Sequence, residues 1–553
     1  MIIPTKPENT TLSIGDKTIY NLEDLQNYFF LADVVKHFQS SELHKWCKDN
    51  YYVEQVKKLY NISANSTHIE VIKKLIFIFA IKNVFTSKTN SIDADEYIKS
   101  LEQNFENSGS FSTEISSGGL VGTAGEQGFG VCECPDIDNL QWINAMPGSS
   151  DKSSENYGNY ETLNGSVMCC IPKFFYRWGH KESPNYAKYR ANALDIVGVD
   201  IFRNESEANA AGYALHRAFI DNGKEQPYFF IDKYLCSKDG NNSCKSVKNG
   251  DPISLIKDKS YTCSQGMEGC TGIYADAVVL SKARGEVFNC MSIFQQNAIA
   301  MLSLAHGQAS TSDTYCAWYD AAGMKNYPKG CNYKLTDCDD TSVKFTSAGN
   351  SGDANKPQAG SGNPFAKTTH NGQACGVADI NGSLYQVMLG ITNAGRNATD
   401  TTQIENNNAY VLKRTAKLST LTGGFGGTTD AWGTESSLAN NYDFVVGIFN
   451  SYLLGKRVGK ETNQVFSSEV SGTDWLKTCA GIPTHDGYSG CGTNIFGKDY
   501  YCEVNIANMF PLCSFISIYS FPPYSGVWSR NFYRVRSHNN YCYTGFRAAA
   551  YRE

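Results

Sequence analysis

The chain has 553 residues and a mass of 61.0 kDa, with 41% hydrophobic and 19% charged residues. This composition supplies enough apolar material for packed cores and shows no bias toward disorder. The formal net charge of −6 argues against a whole-chain nucleic-acid binder, because such proteins usually carry a basic excess.

Membrane insertion and secretion are not indicated. The longest dense apolar run, residues 75–81, is much shorter than the roughly twenty residues that a transmembrane helix needs. The first twenty residues lack the basic stretch followed by an apolar stretch that marks a secretory signal. We therefore expect neither a membrane segment nor a secretion signal.

Residues 1–105 carry apolar side chains at the i, i+3, i+4, i+7 spacing of amphipathic helices. They predict a small all-helical domain, whose expected role is attachment or the docking of a protein partner. The apolar stripes are Leu31, Val34, Val35 and Phe38; Leu43, Trp46 and Cys47; Val53, Val56, Leu59 and Tyr60; and Ile69, Ile72, Leu75, Ile76 and Phe79.

A Gly/Ser-rich stretch, residues 106–130, follows and predicts a linker. Beyond it, residues 131–553 read as one domain of short strands broken by Gly, Asn, Asp and Pro, with long polar insertions. Helical patterns recur at residues 207–219 and 292–306. No repeat of fixed period is present, which argues against a solenoid or a propeller.

The 19 cysteines are odd in number, so they cannot all pair within one chain. Most are expected to be buried, reduced thiols. Cys132-x-Cys134 and Cys169-Cys170 each lack the second hook that a zinc site needs, so neither a metal nor another cofactor is expected. If the protein works outside a cell, two further pairs have the spacing of short disulfide loops, namely Cys236/Cys244 and Cys263/Cys270.

The C-terminal segment, residues 513–551, has an unusual composition. Its 39 residues include eleven aromatic residues and four arginines, and no Lys, Glu, Asp, Gln or Met. Aromatic side chains, arginine and small polar residues are typical of binding surfaces. The alternative is that the segment forms core strands, which the alternation of Phe546, Ala548 and Ala550 favours locally.

Several phrases of the sequence resemble a large group of bacteriophage and prophage tail proteins that end in a C-type-lectin-like fold. Some members of that group are the variable proteins of diversity-generating retroelements. The resemblance starts at about residue 118 and covers about four-fifths of the chain. The phrases are GEQGFGVCECP (125–135), YGNYETLNGSVMCCIPKFFYRWGH (157–180), FFIDKY (229–234), SLAHGQA (303–309), HNGQACGVADINGSLYQV (370–387) and SGVWSRNFYRVRSHNNYCYTGFRAAAY (525–551).

The resemblance implies an α+β fold, with a C-type-lectin-like (formylglycine-generating-enzyme-like) domain carrying long loop insertions over residues 131–553. It further implies a protein that binds an unknown protein or glycan ligand through a diversified C-terminal surface, located in a virion tail or the cytoplasm. The candidate variable, ligand-binding positions are Phe515, Ile516, Ile518, Tyr519, Phe521, Ser529, Tyr533, His538, Tyr541, Cys542 and Tyr543. The candidate framework positions are Gly526, Trp528, Gly545, Phe546 and Arg547.

The residue types missing from the C-terminal segment fit that resemblance. In these retroelements adenines of a template are randomised, often at AAC or AAT codons, so that the resulting codons still end in C or T. Such codons cannot encode Lys, Gln, Glu, Met or Trp. The segment lacks the first four, and its one tryptophan is the framework candidate Trp528.

Other functions remain as alternatives. A formylglycine-generating type of enzyme would need a reactive cysteine pair near the terminal GFR element, where only Cys542 lies close and Cys513 is 29 residues earlier. No G-x-S-x-G hydrolase motif and no P-loop occurs, so we expect a protein that is not an enzyme. A structural tail component without diversified binding and a cytosolic binding module are the remaining alternatives.

Overall fold

The computed structural model divides the chain into two compact units, Met1–Ser116 and Ser117–Glu553. The described residues are 11–14, 17–27, 29–30, 34, 37–38, 42–50, 52, 55, 59, 68–85, 91–93, 119–240, 243–254, 273–324, 326–331, 335–350, 355–382, 384–392, 409–422, 438–448, 464–486, 501–502, 512–516, 526–528, 530–534 and 544–552.

The smaller unit mixes short strands with helices. Its described elements are β1 (Leu12–Ile14), β2 (Lys17–Ile19), α1 (Leu22–Asn27), β3 (Phe29–Phe30), α2 (Glu42–Asp49), α3 (His68–Phe79), β4 (Asn83–Phe85) and β5 (Ser91–Asp93). β1 and β2 form an antiparallel pair, while β3 pairs with β4 in parallel and β4 with β5 antiparallel.

The prediction of an all-helical domain over residues 1–105 is therefore wrong. Two of the apolar stripes do lie on helices: α2 buries Leu43 and Trp46, and α3 buries Leu75 and Phe79. The strands were missed because each has only two or three residues, which is too short for an alternating pattern to stand out. A usable signal was the Gly-Asp dipeptide at positions 15 and 16, which separates two apolar runs as in a hairpin.

The described part of the larger unit consists mainly of short strands. In chain order they are β6 (Ile143–Ala145), β7 (Asn159–Thr162), β8 (Val167–Pro172), β9 (Phe174–Trp178), β10 (Leu194–Gly198), β11 (Ala214–Leu215), β12 (Ile220–Asp221), β13 (Lys224–Glu225), β14 (Tyr228–Asp232), β15 (Cys236–Asp239), β16 (Ser243–Ser246), β17 (Phe288–Cys290), β18 (Ser347–Asn350), β19 (Asn355–Pro357), β20 (Tyr385–Met388), β21 (Ile391–Thr392), β22 (Ala409–Leu412), β23 (Tyr442–Val445), β24 (Gln464–Val465), β25 (His485–Asp486), β26 (Tyr501–Cys502), β27 (Leu512–Ile516), β28 (Arg530–Arg534), β29 (Thr544–Gly545) and β30 (Ala548–Ala550).

Few helices accompany these strands in the described part of the unit. The α-helices are α4 (Tyr186–Tyr189), α5 (Glu205–Ala210), α6 (Ile273–Lys282), α7 (Ile293–Ala309) and α8 (Gly472–Cys479). Single 3₁₀ turns lie at Ile137–Asn139, Arg190–Asn192, Arg217–Phe219, Phe365–Thr368 and Leu418–Thr420.

A six-stranded antiparallel sheet has the order β17-β30-β14-β8-β7-β6. Its middle strands are buried on both faces, as the unbroken apolar runs in β8 and β14 require. β30, near the C-terminal end of the sequence, pairs with β14 on one side and with β17 on the other. The last strand of the chain is thus an inner strand of this sheet.

Helix α7 is the longest helix of the described residues. Ser292 caps its N-terminus by accepting from the backbone N–H of Gln295, and the side chain of Gln295 accepts from the backbone N–H of Ser292 in return. Every residue from Ile293 to Gln308 is buried. A helix buried all round is part of a protein core, and this one contacts β10 and α8.

The expected fold class is also wrong for this structure. An α+β C-type-lectin-like domain behind an all-helical domain was predicted, whereas the chain is mostly β-strands in many small sheets with few helices, and strands occur in the smaller unit as well. The helix predicted at residues 207–219 illustrates the reason. Its apolar face is divided among α5, β11 and a 3₁₀ turn, because tertiary packing overrides a weak local pattern.

The predicted linker differs from what is found in its described part, residues 119–130. These residues belong to the larger unit, where Val121 and Phe129 are buried in the core. Glycines hold the backbone in left-handed conformations, such as φ +81° at Gly130. Glycine content here reflects tight packing and turns rather than a flexible connection.

Candidate functional site

The C-terminal segment forms part of a five-stranded sheet of order β26-β28-β27-β20-β29. β27 pairs antiparallel with β28, which places Phe515 opposite Asn531 and Cys513 opposite Tyr533. On its other side β27 pairs with β20, where Ile516 lies opposite Gln386. The pairing of β27 with β28 thus makes neighbours of residues that are 16 to 20 positions apart in the sequence.

The framework candidate Trp528 is buried in an aromatic cluster. Its ring centroid lies 5.1 Å from that of Phe466 and 6.0 Å from that of Trp178, and it meets Trp178 edge to face. The adjacent residues Gly526 and Val527 are buried as well. Offset and edge-to-face ring contacts stabilise a core beyond simple burial, so this short stretch is fixed in place.

Arg530, which begins β28, is completely buried. Its guanidinium donates hydrogen bonds to the backbone oxygen of Ala480 at 3.0 Å, to that of Val527 at 3.1 Å and to Oδ1 of Asn297 at 3.0 Å. Gly481 lies directly beneath, where an added Cβ would sit 2.6 Å from the guanidinium, and its φ is +71°. Only glycine meets both conditions at that position.

Arg547 is the second completely buried arginine of the segment. Its Nε donates to Oε1 of Gln386 at 2.8 Å. Its Nη1 donates to the backbone oxygens of Asp232 at 3.0 Å and Lys233 at 3.1 Å, and its Nη2 donates to that of Ala378. The acceptors come from β14, β20 and a loop, so this one side chain joins the end of the chain to three separate elements.

Asp232 holds the backbone directly after Arg547. Its carboxylate accepts from Arg284 Nη1 at 2.7 and 2.9 Å and from the backbone N–H of Ala548 at 2.9 Å. The side chains of Asp232 and Arg284 have exposed fractions of 0% and 1%. A buried carboxylate needs such partners, and here they hold the first residue of β30.

The surroundings of Arg547 contain further buried charges. Burial raises the pKa of Asp379 to about 6, although Arg547 opposes that rise. Burial also lowers the pKa of Lys233, whose Nζ donates to Oδ1 of Asn159 at 2.5 Å and to the backbone oxygen of Ala374 at 2.8 Å. Arg547 therefore lies in a dense polar network within the core.

The five framework candidates are all buried, and Gly545 has a specific packing reason. An added Cβ at Gly545 would lie 2.9 Å from Cδ1 of Leu384 and 3.2 Å from the backbone oxygen of Ile253. Of the variable candidates, the structure describes the backbones of Phe515, Ile516 and Tyr533, and it brings these three into one sheet with Gly545. The other candidates lie outside the described residues: Ile518, Tyr519, Phe521, Ser529, His538, Tyr541, Cys542 and Tyr543.

Sequence reasoning missed Arg530, Asp232, Gln386 and Asn297. Arg530 was one of four arginines in the segment, and nothing local distinguishes a buried arginine from an exposed one. Asp232 did carry a signal, since an acid directly after the apolar run Tyr228–Ile231 indicates a buried charge that needs a partner.

Three cysteines of the described residues, Cys169, Cys316 and Cys479, are unsuited to thiol catalysis. All three are free thiols and buried. Burial raises the pKa of Cys169, Cys316 and Cys479 to about 12. Because the thiolate is the reactive form, these side chains are poor nucleophiles at neutral pH.

Two histidines in motif-like phrases have structural roles. His306 accepts from the backbone N–H of Gly125 at 3.0 Å and its other ring nitrogen lies 2.7 Å from the oxygen of Tyr315. His370 accepts from the backbone N–H of Val377 at 2.9 Å. Burial lowers the pKa of His306 to about 4 and that of His370 to about 3, so both rings are neutral at pH 7.

Within the described ranges, no group of three or more His, Cys, Asp or Glu side chains is arranged to hold a metal ion. Nor does any helix of that part of the chain combine the length and the hydrophobicity needed to cross a bilayer.

Comparison with known proteins gives no further assignment. No protein-family model matches the chain, and no curated protein matches it either.

Proposed function

We propose that the protein binds a protein or glycan ligand through its C-terminal segment, and that the segment is diversified at the eleven variable positions by a retroelement. Catalysis has no part in this proposal. The ligand is held by the aromatic and polar side chains at the variable positions.

The observation that carries the proposal is that the framework positions of the segment are buried and bonded to the core. The framework candidates are buried, and Arg530 and Arg547 tie the segment to the core on either side of residues 531–546. A surface that tolerates many different side chains needs a backbone whose position does not depend on them. These contacts support the proposal, because all of them are made by residues outside the variable set.

The identities of the variable candidates also support diversification. They comprise only Phe, Ile, Tyr, Ser, His and Cys. Each of these residue types has a codon ending in C or T, as randomisation of the first two bases of AAC or AAT demands. By contrast, the framework candidate Trp528 has no such codon.

Sequencing the DNA around the gene tests the proposal without knowledge of the ligand. We expect a near-copy of the coding sequence of the C-terminal segment, differing from it only where the copy has adenine. The differences should fall in codons of variable candidates such as Tyr519, Tyr541 and Tyr543. The codons of Gly526, Trp528, Gly545, Phe546 and Arg547 should be identical in both copies.

Two outcomes would overturn the proposal. One is the absence of any near-copy, which would favour a tail component whose C-terminal face makes fixed subunit contacts. The other is a near-copy whose differences are spread equally over framework and variable codons.

A further inference from the structure

The fold brings together two cysteine clusters that are far apart in the sequence. Sγ of Cys132 lies 3.5 Å from Sγ of Cys170, and the two residues are separated by 38 positions. Both side chains are completely buried and both thiols are free. Neither cluster has two metal-binding hooks by itself, so the sequence pattern gave no reason to consider them jointly.

Backbone contacts hold the two thiols in place. The N–H of Cys132 donates to the backbone oxygen of Cys170 at 3.1 Å, and the N–H of Cys170 donates to that of Gly158 at 2.8 Å. Gly158 has φ +66°, and an added Cβ would lie 2.9 Å from the backbone of Cys132. Since β8 is an inner strand of the six-stranded sheet, the position of Cys170 is fixed on both sides.

The neighbouring thiols each have a further hydrogen-bond partner. Cys134 lies close to Cys170, and its Sγ also donates to Oδ1 of Asp136 at 3.4 Å. Sγ of Cys169 donates to the backbone oxygen of Cys375 at 3.6 Å. These contacts leave Cys132 as the partner best placed for Cys170.

We propose that Cys132 and Cys170 form a disulfide when the chain folds in the presence of a low-molecular-weight disulfide such as oxidised glutathione. A disulfide has an S–S distance of about 2.05 Å, so the sulfurs must approach by about 1.5 Å from their separation of 3.5 Å. The crosslink would join the glycine-rich stretch at residues 119–135 to β8.

The chemistry balances by thiol–disulfide exchange. One cysteine thiolate attacks oxidised glutathione, forms a mixed disulfide and releases one glutathione thiolate. The second cysteine then attacks the mixed disulfide, the Cys132–Cys170 bond forms and a second glutathione leaves. The two cysteines lose two protons and two electrons, and one oxidised glutathione becomes two reduced ones.

Burial determines when this reaction occurs. Both sulfurs are inaccessible in the native protein, and burial raises the pKa of the Cys170 thiol well above its ordinary value. The exchange is therefore expected to be fast in the unfolded or partly folded chain and slow in the native state.

Peptide mapping tests the proposal. The full chain is refolded from denaturant in a mixture of reduced and oxidised glutathione. It is then denatured again in N-ethylmaleimide, so that buried free thiols are also blocked, and is digested without reduction. Mass spectrometry should find a Cys132–Cys170 linkage, two hydrogens lighter than the separate peptides, as the main crosslink. Native protein kept with oxidised glutathione, which requires no refolding, should give the same linkage more slowly.

Serine variants at adjacent positions provide the matched control. Cys170→Ser should abolish the linkage, whereas Cys169→Ser, one residue away in the same buried strand, should retain it. Two results would overturn the proposal. One is that Cys132 and Cys170 of the refolded wild-type protein both carry N-ethylmaleimide, and the other is that Cys134 is joined to Cys170 as often as Cys132 is.

Discussion

Among the described side chains of the C-terminal segment, Arg530 and Arg547 are buried arginines that are held in different ways. Arg547 lies among charged groups, with Asp379, Asp232 and Lys233 close by, and donates to atoms of three separate elements. Arg530 donates to two backbone oxygens and one amide oxygen. Both are completely buried, and Arg547 belongs to a network of buried charges.

This difference assigns the two arginines different roles. Arg547 connects the C-terminal segment to the middle of the six-stranded sheet, so its loss affects the core of the larger unit. Arg530 connects β28 to α7 and to the end of α8, so its loss affects mainly the five-stranded sheet. The two arginines thus attach the segment to the core at residues 530 and 547. The predictions below test this two-point attachment.

Replacement of Arg547 should have the largest effect. Arg547→Met keeps most of the volume but leaves the oxygens of Gln386, Asp232 and Ala378 without their donors, and Asp379 without a nearby positive charge. Breaking such a buried network costs about 5 kcal/mol, measured by denaturant unfolding. The matched control is Arg414→Met, because Arg414 is 41% exposed and pairs with Glu205, where a loss of about 1 kcal/mol or less is expected. Equal effects of the two variants would contradict the assigned role.

Trp528→Ala should have the second-largest effect on stability. Removing the ring opens a cavity between Phe466 and Trp178 and costs about 4 kcal/mol, the usual range for a buried aromatic residue. Thermal and denaturant unfolding both report the loss. Trp528→Phe fills most of the cavity, so it should recover more than half of the stability that is lost in Trp528→Ala.

Arg530→Met should destabilise the protein less, by about 3 kcal/mol, because it leaves three neutral acceptors unpaired at about 1 kcal/mol each. Hydrogen exchange should locate the effect in β27 and β28, with β8 and β14 keeping their protection. Uniform loss of protection in both sheets would show that the two arginines share one role.

The pH dependence of stability separates the buried histidines from the buried acids. The pKa of His306 falls from 6.5 to about 4 on folding, so its contribution is complete above pH 6.5 and is lost as the pH falls toward 4. As the pH is lowered from 7 to 5, the free energy of unfolding of the wild-type protein should fall by about 2 kcal/mol relative to that of His306→Asn.

Asp379 should behave in the opposite sense. Its pKa rises from 3.8 to about 6 on folding, so its contribution is present below pH 4 and is lost as the pH rises through 6. Relative to Asp379→Asn, wild-type protein should therefore gain stability as the pH is lowered from 7 to 5. Parallel pH curves for wild type and both variants would contradict these assignments.

The sequence predicted some features of this molecule because they are local. The helix at residues 292–306 and the stripes of α2 and α3 are visible as periodic patterns within one element. The short strands of the smaller unit escaped prediction because two or three residues carry too little pattern. Proline within a strand indicates a sheet edge, but Pro172 is the last residue of β8, an inner strand.

For the candidate site, too, the sequence predicted only local features. Trp528 and Arg547 were identified as framework by their phrase in the sequence, and both are buried. Arg530 and Asn297 are 233 positions apart, and Cys132 and Cys170 belong to separate cysteine clusters. Such partners are recognised only when the fold brings them together, since neither residue alone carries a local signal of its partner.

The thermal stability of a variant with Tyr519, Tyr541 and Tyr543 all changed to Ser tests the account most directly. If these side chains serve recognition while other residues maintain the fold, the melting temperature should stay within about 2 °C of wild type. Trp528→Ala, measured alongside, should lower it clearly. If the melting temperature of the triple variant falls as far as that of Trp528→Ala, the tyrosines are core residues. The proposed binding surface would then have to be abandoned.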